Sequence, residues 1–167
     1  MRYFTRSFIN GSWSQERRRK AVAAYDAHVS ALGLSPSLQM LWQISFHDAR
    51  ILAFTYERSA GTLKLRMRRG DLQAGYWDVT LCFSEAAITA GSLRLLRDAV
   101  RPSNVEVLAT ELEESIGLFK YRLLFWPKGE ATLTFKGVVI KSRAVSSRVK
   151  FLTPRIQSSV VCGPTRC

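Results

Sequence analysis

The feature that most constrains this chain is a change of hydrophobic period. Leu63, Leu65 and Met67 alternate with Lys64, Arg66 and Arg68, a pattern that buries one face of a strand and wets the other. Upstream, Ala21, Val22, Tyr25, Val29 and Leu32 recur at helical spacing in a stretch free of Gly and Pro, from Gln15 to Leu32. Period two begins near residue 49 with Leu52, Phe54 and Tyr56. It returns in Trp77, Val79, Leu81 and Phe83, in Val105 to Glu111, in Phe119, Tyr121, Leu123 and Phe125, and in Ala131, Leu133 and Phe135. Ser59-Ala60-Gly61 and Lys128-Gly129 supply short turns, and sequential strands joined by short turns predict an antiparallel meander. The run Val138-Val139-Ile140 reads as an extension of the last strand across a bulge at Gly137.

The helices have boundary signals of their own. Ser12 or Ser14 is placed to cap the first long helix, Gly33 to stop it, and Ser35-Pro36 to start a second. Ser92 to Val100 reads as a further short helix ending before Pro102. The expected architecture is therefore α+β: N-terminal helices packed on an antiparallel meander sheet of about six strands. It occupies 1–145 as a single domain, followed by a basic, poorly ordered tail over 146–167.

Composition narrows the function classes. With 167 residues and 47% hydrophobic content, the chain is long enough to bury a core without staples. Three cysteines, Cys82, Cys162 and Cys167, are too few and odd in number for a disulfide framework, and they fit a reducing compartment. No apolar run is long enough to cross a membrane as a helix. The first residues lack the apolar stretch of a secretory signal. A cytoplasmic protein is expected.

The net charge of +12 is uneven: +5 falls in residues 1–20, +6 in 141–167, and only +1 in between. Arg17, Arg18, Arg19 and Lys20 sit in the first turns of a helix, where cations oppose the helix dipole. These ends attract phosphate or anionic lipid nonspecifically, although solvation is the simpler account. The acidic run Glu111, Glu113 and Glu114 is their counterpart. It is expected at a solvated strand end.

Catalytic signatures are missing from the sequence. There is no phosphate-binding glycine loop, no Gly-x-Ser-x-Gly elbow, and His28 and His47 are the two histidines. Two polar clusters remain. Phe46-His47-Asp48-Ala49-Arg50 precedes the first strand; a His-Asp pair can exchange protons or bind a metal, but it also sets turns through backbone bonds. The loop Gly70 to Asp78 carries Asp71, Tyr76 and Trp77, suited either to binding or to a hairpin. If the first strands pair in order, His47, Asp48 and Asp71 fall at one sheet end.

Arg2-Tyr3-Phe4-Thr5, Phe46-His47-Asp48-Ala49-Arg50-Ile51 and the Gly70-Asp71-Leu72 to Gly75-Tyr76 loop resemble a bacterial family of small α+β proteins of unknown function. Similar His-Asp strand starts occur in some immunity-type proteins of bacterial competition systems. The resemblance spans roughly residues 1–140 and implies fold rather than activity.

The leading expectation is a non-enzymatic module that binds another protein through His47, Asp48, Asp71, Tyr76 and Trp77, without cofactor or structural metal. A nucleic-acid-associated protein using Arg17, Arg18, Arg19, Lys20 and the tail is the second. A metal-dependent hydrolase at His47, Asp48 and Asp71 is the third.

Overall fold

The computed structural model describes residues 1–71, 73–100 and 105–145; the tail expected over 146–167 lies outside them. Three helices come first: α1 (Arg6–Ile9), α2 (Gln15–Ser30) and α3 (Pro36–Gln43). Ser14, not Ser12, caps α2, its hydroxyl accepting from the Arg17 N–H. Pro36 opens α3, where its missing N–H costs nothing. The strands β1 (Arg50–Glu57), β2 (Thr62–Asp71), β3 (Gly75–Ser84) and β4 (Ala87–Ile88) follow, then α4 (Ala90–Val100). The chain continues through β5 (Glu106–Ser115), β6 (Leu118–Trp126), β7 (Glu130–Phe135) and β8 (Gly137–Val145).

The class is α+β and the strands are antiparallel, but they do not form a single sheet of six. Among the described residues, eight strands make two four-stranded sheets, ordered β1-β2-β3-β8 and β4-β7-β6-β5. Each retains a three-strand meander. The difference arises at Lys136-Gly137. The apolar run Val138-Val139-Ile140 does not prolong β7 across a bulge. It leaves that sheet and pairs with Phe83, Cys82 and Leu81 of β3. The Lys136 N–H donates to the Ser84 carbonyl at the crossing, and a Cβ on Gly137 would stand 2.9 Å from the Ser84 Oγ. The strand also runs on to Val145 opposite Tyr76, past the point where its alternation fades.

The inner faces of the sheets share one core. Leu63, Leu65, Met67, Val79, Leu81 and Phe83 meet Leu112, Tyr121, Leu123, Phe125, Leu133 and Phe135. Phe83 bridges the two directly, with its ring 4.8 Å from that of Phe135 and 6.1 Å from that of Tyr121. The sheets thus cover each other, and the helices fill the gaps between them. Leu38 and Leu41 of α3 and Leu96 and Ala99 of α4 enter the same core.

Helix α2 reaches the free edge of β5 through Tyr25. The Tyr25 hydroxyl accepts the Leu112 N–H at 2.7 Å, which satisfies an edge donor that would otherwise be left open. Next to it, Glu111 is not at a solvated strand end; it is 0% exposed. Its carboxylate accepts the backbone N–H groups of Arg2, Tyr3 and Phe4 at 2.6–2.7 Å and lies 3.4 Å from the Arg122 guanidinium. The N-terminal segment is wrapped around one buried acid.

Replacing Glu111 by Gln puts an NH2 group among these donors and removes the charge that Arg122 faces. We expect Glu111→Gln to cost roughly 2–4 kcal/mol of stability, read as a lowered urea midpoint. An unchanged midpoint would show that the carboxylate does not hold the segment.

Candidate functional site

His47 and Asp48 lie on a turn that is pinned to the second sheet. The Asp48 N–H donates to the Val107 carbonyl and the Val107 N–H to the Ala49 carbonyl, both at 2.8 Å. The Ala49 N–H closes the turn on the Phe46 carbonyl at 3.0 Å. Asp48 takes a φ of 58°, which aspartate tolerates better than most residues. The imidazole Nδ1 of His47 is 3.0 Å from the Asp48 carboxylate, and both side chains are about half exposed. This bridge is where β1 and β5 come closest, joined through Ala49 and Val107. Beside it, residues of α1, α2, α3 and β5 meet in a seam.

Two cavities occupy that seam. The outer one, about 700 Å³, runs along α2; Phe8, Ile9, Val22 and Ala23 give it an apolar wall, and Arg18, Arg19, Asp26 and His47 give it polar groups. The inner one, about 320 Å³, shares Phe8, Ile9, Asp26 and His47 with it. It continues between Trp42, Ile44 and Phe46 to the edge of β5 at Leu108–Thr110, with Tyr25 and Tyr121 also on its lining. An aromatic series holds α1 in place above it: Phe4 lies 4.9 Å from Tyr25 and 5.2 Å from Phe8, and Phe8 lies 5.9 Å from Trp13.

Burial is the main cause that raises the pKa of Tyr25 and of Tyr121 well above the ordinary tyrosine range. Both phenols therefore stay protonated at the cavity. The Tyr121 hydroxyl is fully buried and makes no well-formed hydrogen bond, although Thr110 acts on it against the larger effect of burial.

The basic run on α2 is divided by its neighbours. Arg17 stacks on the Trp13 ring at 4.0 Å, and Lys20 pairs with Glu16 at 2.7 Å. Arg18 and Arg19 have no carboxylate partner among the described residues, and these two line the outer cavity. His47, from the expected protein site, and Arg18 and Arg19, from the expected nucleic-acid site, therefore share one groove.

The remaining predicted residues do not line the groove, although the in-order pairing of β1 with β2, Arg50 opposite Arg68, leaves Asp71 at the sheet end where β1 begins. Asp71 accepts the N–H groups of Gln73 and Ala74 at 2.8 and 2.7 Å, capping the β2–β3 hairpin. Gly70 makes that hairpin possible, since a Cβ there would lie 2.0 Å from the Gly75 carbonyl oxygen. Tyr76 is 4% exposed, and Trp77 packs against the core with Arg69 6.0 Å over its ring. Among the described residues, no three His, Cys, Asp or Glu side chains gather where they could hold a metal. The site residues that sequence reasoning passed over are Phe8, Ile9, Val22, Asp26 and Tyr121. The aromatics Tyr3, Phe4, Phe8 and Trp13 are the visible signal for Phe8 and Ile9; Asp26 has none.

Comparison of the chain with protein families, curated proteins and solved structures finds no match.

The Ala74 and then the Gln73 N–H bonds hold the Asp71 carboxyl below the ordinary aspartate range. A folded-state pKa below the unfolded one means that the hairpin gains from this carboxylate above the ordinary aspartate pKa. It loses the gain as pH falls through the folded value. A carbon-detected NMR titration should place the Asp71 midpoint below about 3.9; a midpoint at or above that would show that the cap does not form.

Proposed function

We propose that this chain is a non-enzymatic binding module whose groove beside α2 seats a segment of a partner protein. The segment carries an apolar anchor side chain flanked by carboxylates. One observation carries the reading: Arg18, Arg19 and His47 border an open groove that shares Phe8, Ile9, Asp26 and His47 with a neighbouring, mainly apolar pocket. An anchor side chain in the inner cavity would gain from burial against Phe8, Trp42 and Phe46, in the manner of an interface hot spot. Carboxylates beside it would meet two unpaired guanidiniums, which favours encounter and register. Asp26 on the same wall disfavours a uniformly acidic segment, so the anchor is as much a part of the recognition as the charge. The resemblance of the His-Asp strand start to immunity-type proteins points to the same class of activity, holding another protein. A cytoplasmic setting goes with the reading.

The test uses a photo-crosslinking amino acid placed at Val22 in the full chain, in living cells, with Glu57 as the control position. Val22 is 39% exposed on the groove wall. We expect a protein adduct of discrete mass from position 22 and none from 57. Combining Arg18→Glu with Arg19→Glu should cut its yield about tenfold or more. No adduct, an equal adduct at 57, or full yield in the charge-reversed variant would each overturn the reading.

A further inference from the structure

The geometry points to a second binding surface, on the outer face of the β1-β2-β3-β8 sheet, that takes the phosphodiester backbone of a nucleic acid. Residues directly opposite one another share a face, as do alternate residues of one strand. Across three strands the register reads Lys64–Cys82–Val139, Arg66–Thr80–Lys141 and Arg68–Asp78–Arg143. Leu63, Leu65, Met67, Val79, Leu81 and Phe83, at the intervening positions, are buried in the core. The three rows therefore lie on the opposite face, where Asp78 is buried and Arg68 nearly so.

Lys64, Arg66, Lys141 and Arg143 are all exposed. Arg68 is held by Asp78 through two bonds of 2.7 and 3.1 Å. The four exposed cations have no carboxylate partner among the described residues. They form two rims, on β2 and β8, with β3 between them. Two strand spacings put the rims about 10 Å apart, and neighbours along a rim are about 7 Å apart. Thr80 and Cys82 give the floor short side chains, so the cations border a shallow trough. Like charges at this spacing repel one another, and a row of phosphates relieves that repulsion while releasing counterions.

The surroundings favour nucleic acid over a membrane. Val139, at 57% exposure, is the one large exposed hydrophobic side chain on this face among the described residues, which is too little to insert into lipid. Tyr76, the aromatic that alternation puts on the outer face, is buried, so there is no platform for base stacking. Contacts confined to phosphates carry no sequence information, and binding should be sequence-tolerant. None of the four cations lines the groove beside α2, so this surface does not rest on the protein-binding reading.

Fluorescence anisotropy with the full chain tests the proposal. The probes are a labelled mixed-sequence 20-nucleotide single strand and the corresponding duplex, and anionic phosphatidylglycerol vesicles serve as the comparison surface. For four phosphate contacts to a single strand, log K against log salt should slope by about −2.8, a loss of roughly fifty-fold between 50 and 200 mM salt. The variant carrying Lys64→Gln, Arg66→Gln, Lys141→Gln and Arg143→Gln should keep its melting temperature, since all four positions are exposed. Its slope should be shallower than that of the parent chain by about that amount. Arg18→Glu with Arg19→Glu should leave nucleic-acid binding within about twofold. The single-strand and duplex arms decide which form the trough takes. Absent binding, a slope unchanged in the four-site variant, loss of binding on reversing Arg18 and Arg19, or tighter binding to the vesicles would each overturn the proposal.

Discussion

The arrangement of this protein depends on one buried carboxylate. Glu111 sits on β5, the edge strand of its sheet, and a charge with no exposure is tolerable only when donors surround it. The donors are the backbone N–H groups of Arg2, Tyr3 and Phe4, with Arg122 alongside. The guanidinium also bonds Glu113 at 2.8 Å. Burial would lower its pKa, but Glu113, Glu111 and Glu130 together raise it instead. Once the N-terminal segment is fixed, the rest of the seam follows. Phe4 packs on Tyr25, Tyr25 caps the edge of β5, and α1 is set down where Phe8 and Ile9 wall both cavities. Arg6 adds bonds to the carbonyls of Pro127 and Phe125, both at 2.8 Å.

The local elements were largely legible in the sequence because each follows from a short-range rule. Alternation marks β2 and β3, Ser14 and Pro36 mark helix starts, and Ser92 to Val100 falls within α4. The division into two sheets was not legible. Whether Val138 to Ile140 prolongs β7 or crosses to β3 depends on which partner edge is free, and that is decided by tertiary pairing rather than by period. Glu111 was misplaced for a related reason. An acid in a run of acids looks solvated unless one knows that three N–H groups from residues 2–4 converge on it. The candidate site was half legible. His47 is in it, and so are Arg18 and Arg19, but their meeting depends on how α2 crosses the seam. Asp71 serves its own hairpin, a local role that the Gly70-Asp71 pair already suggested.

Charge acts differently on the faces of the molecule. On α2, stacking on Trp13 and pairing with Glu16 occupy two of four cations, so helix position alone overstates the available charge. On the outer sheet face the opposite holds. Lys64 and Arg66 belong to the nearly neutral middle of the chain and look unremarkable as the wet side of a strand. They become part of a charged surface only because β8 brings Lys141 and Arg143 to the same sheet. A charge map drawn along the chain separates residues that pairing puts side by side.

The crossing at Lys136-Gly137 also has a consequence for the order of assembly. β3 finds β2 across a short hairpin, but its other edge waits for β8, which lies beyond β4, α4 and the whole β5–β6–β7 meander. During synthesis, which proceeds from the N-terminus, β3 is therefore an open edge flanked by Val79, Leu81 and Phe83 until the last described strand arrives. The contacts that complete the first sheet are among the most distant in sequence of the strand pairings, which is the condition for slow and aggregation-exposed folding.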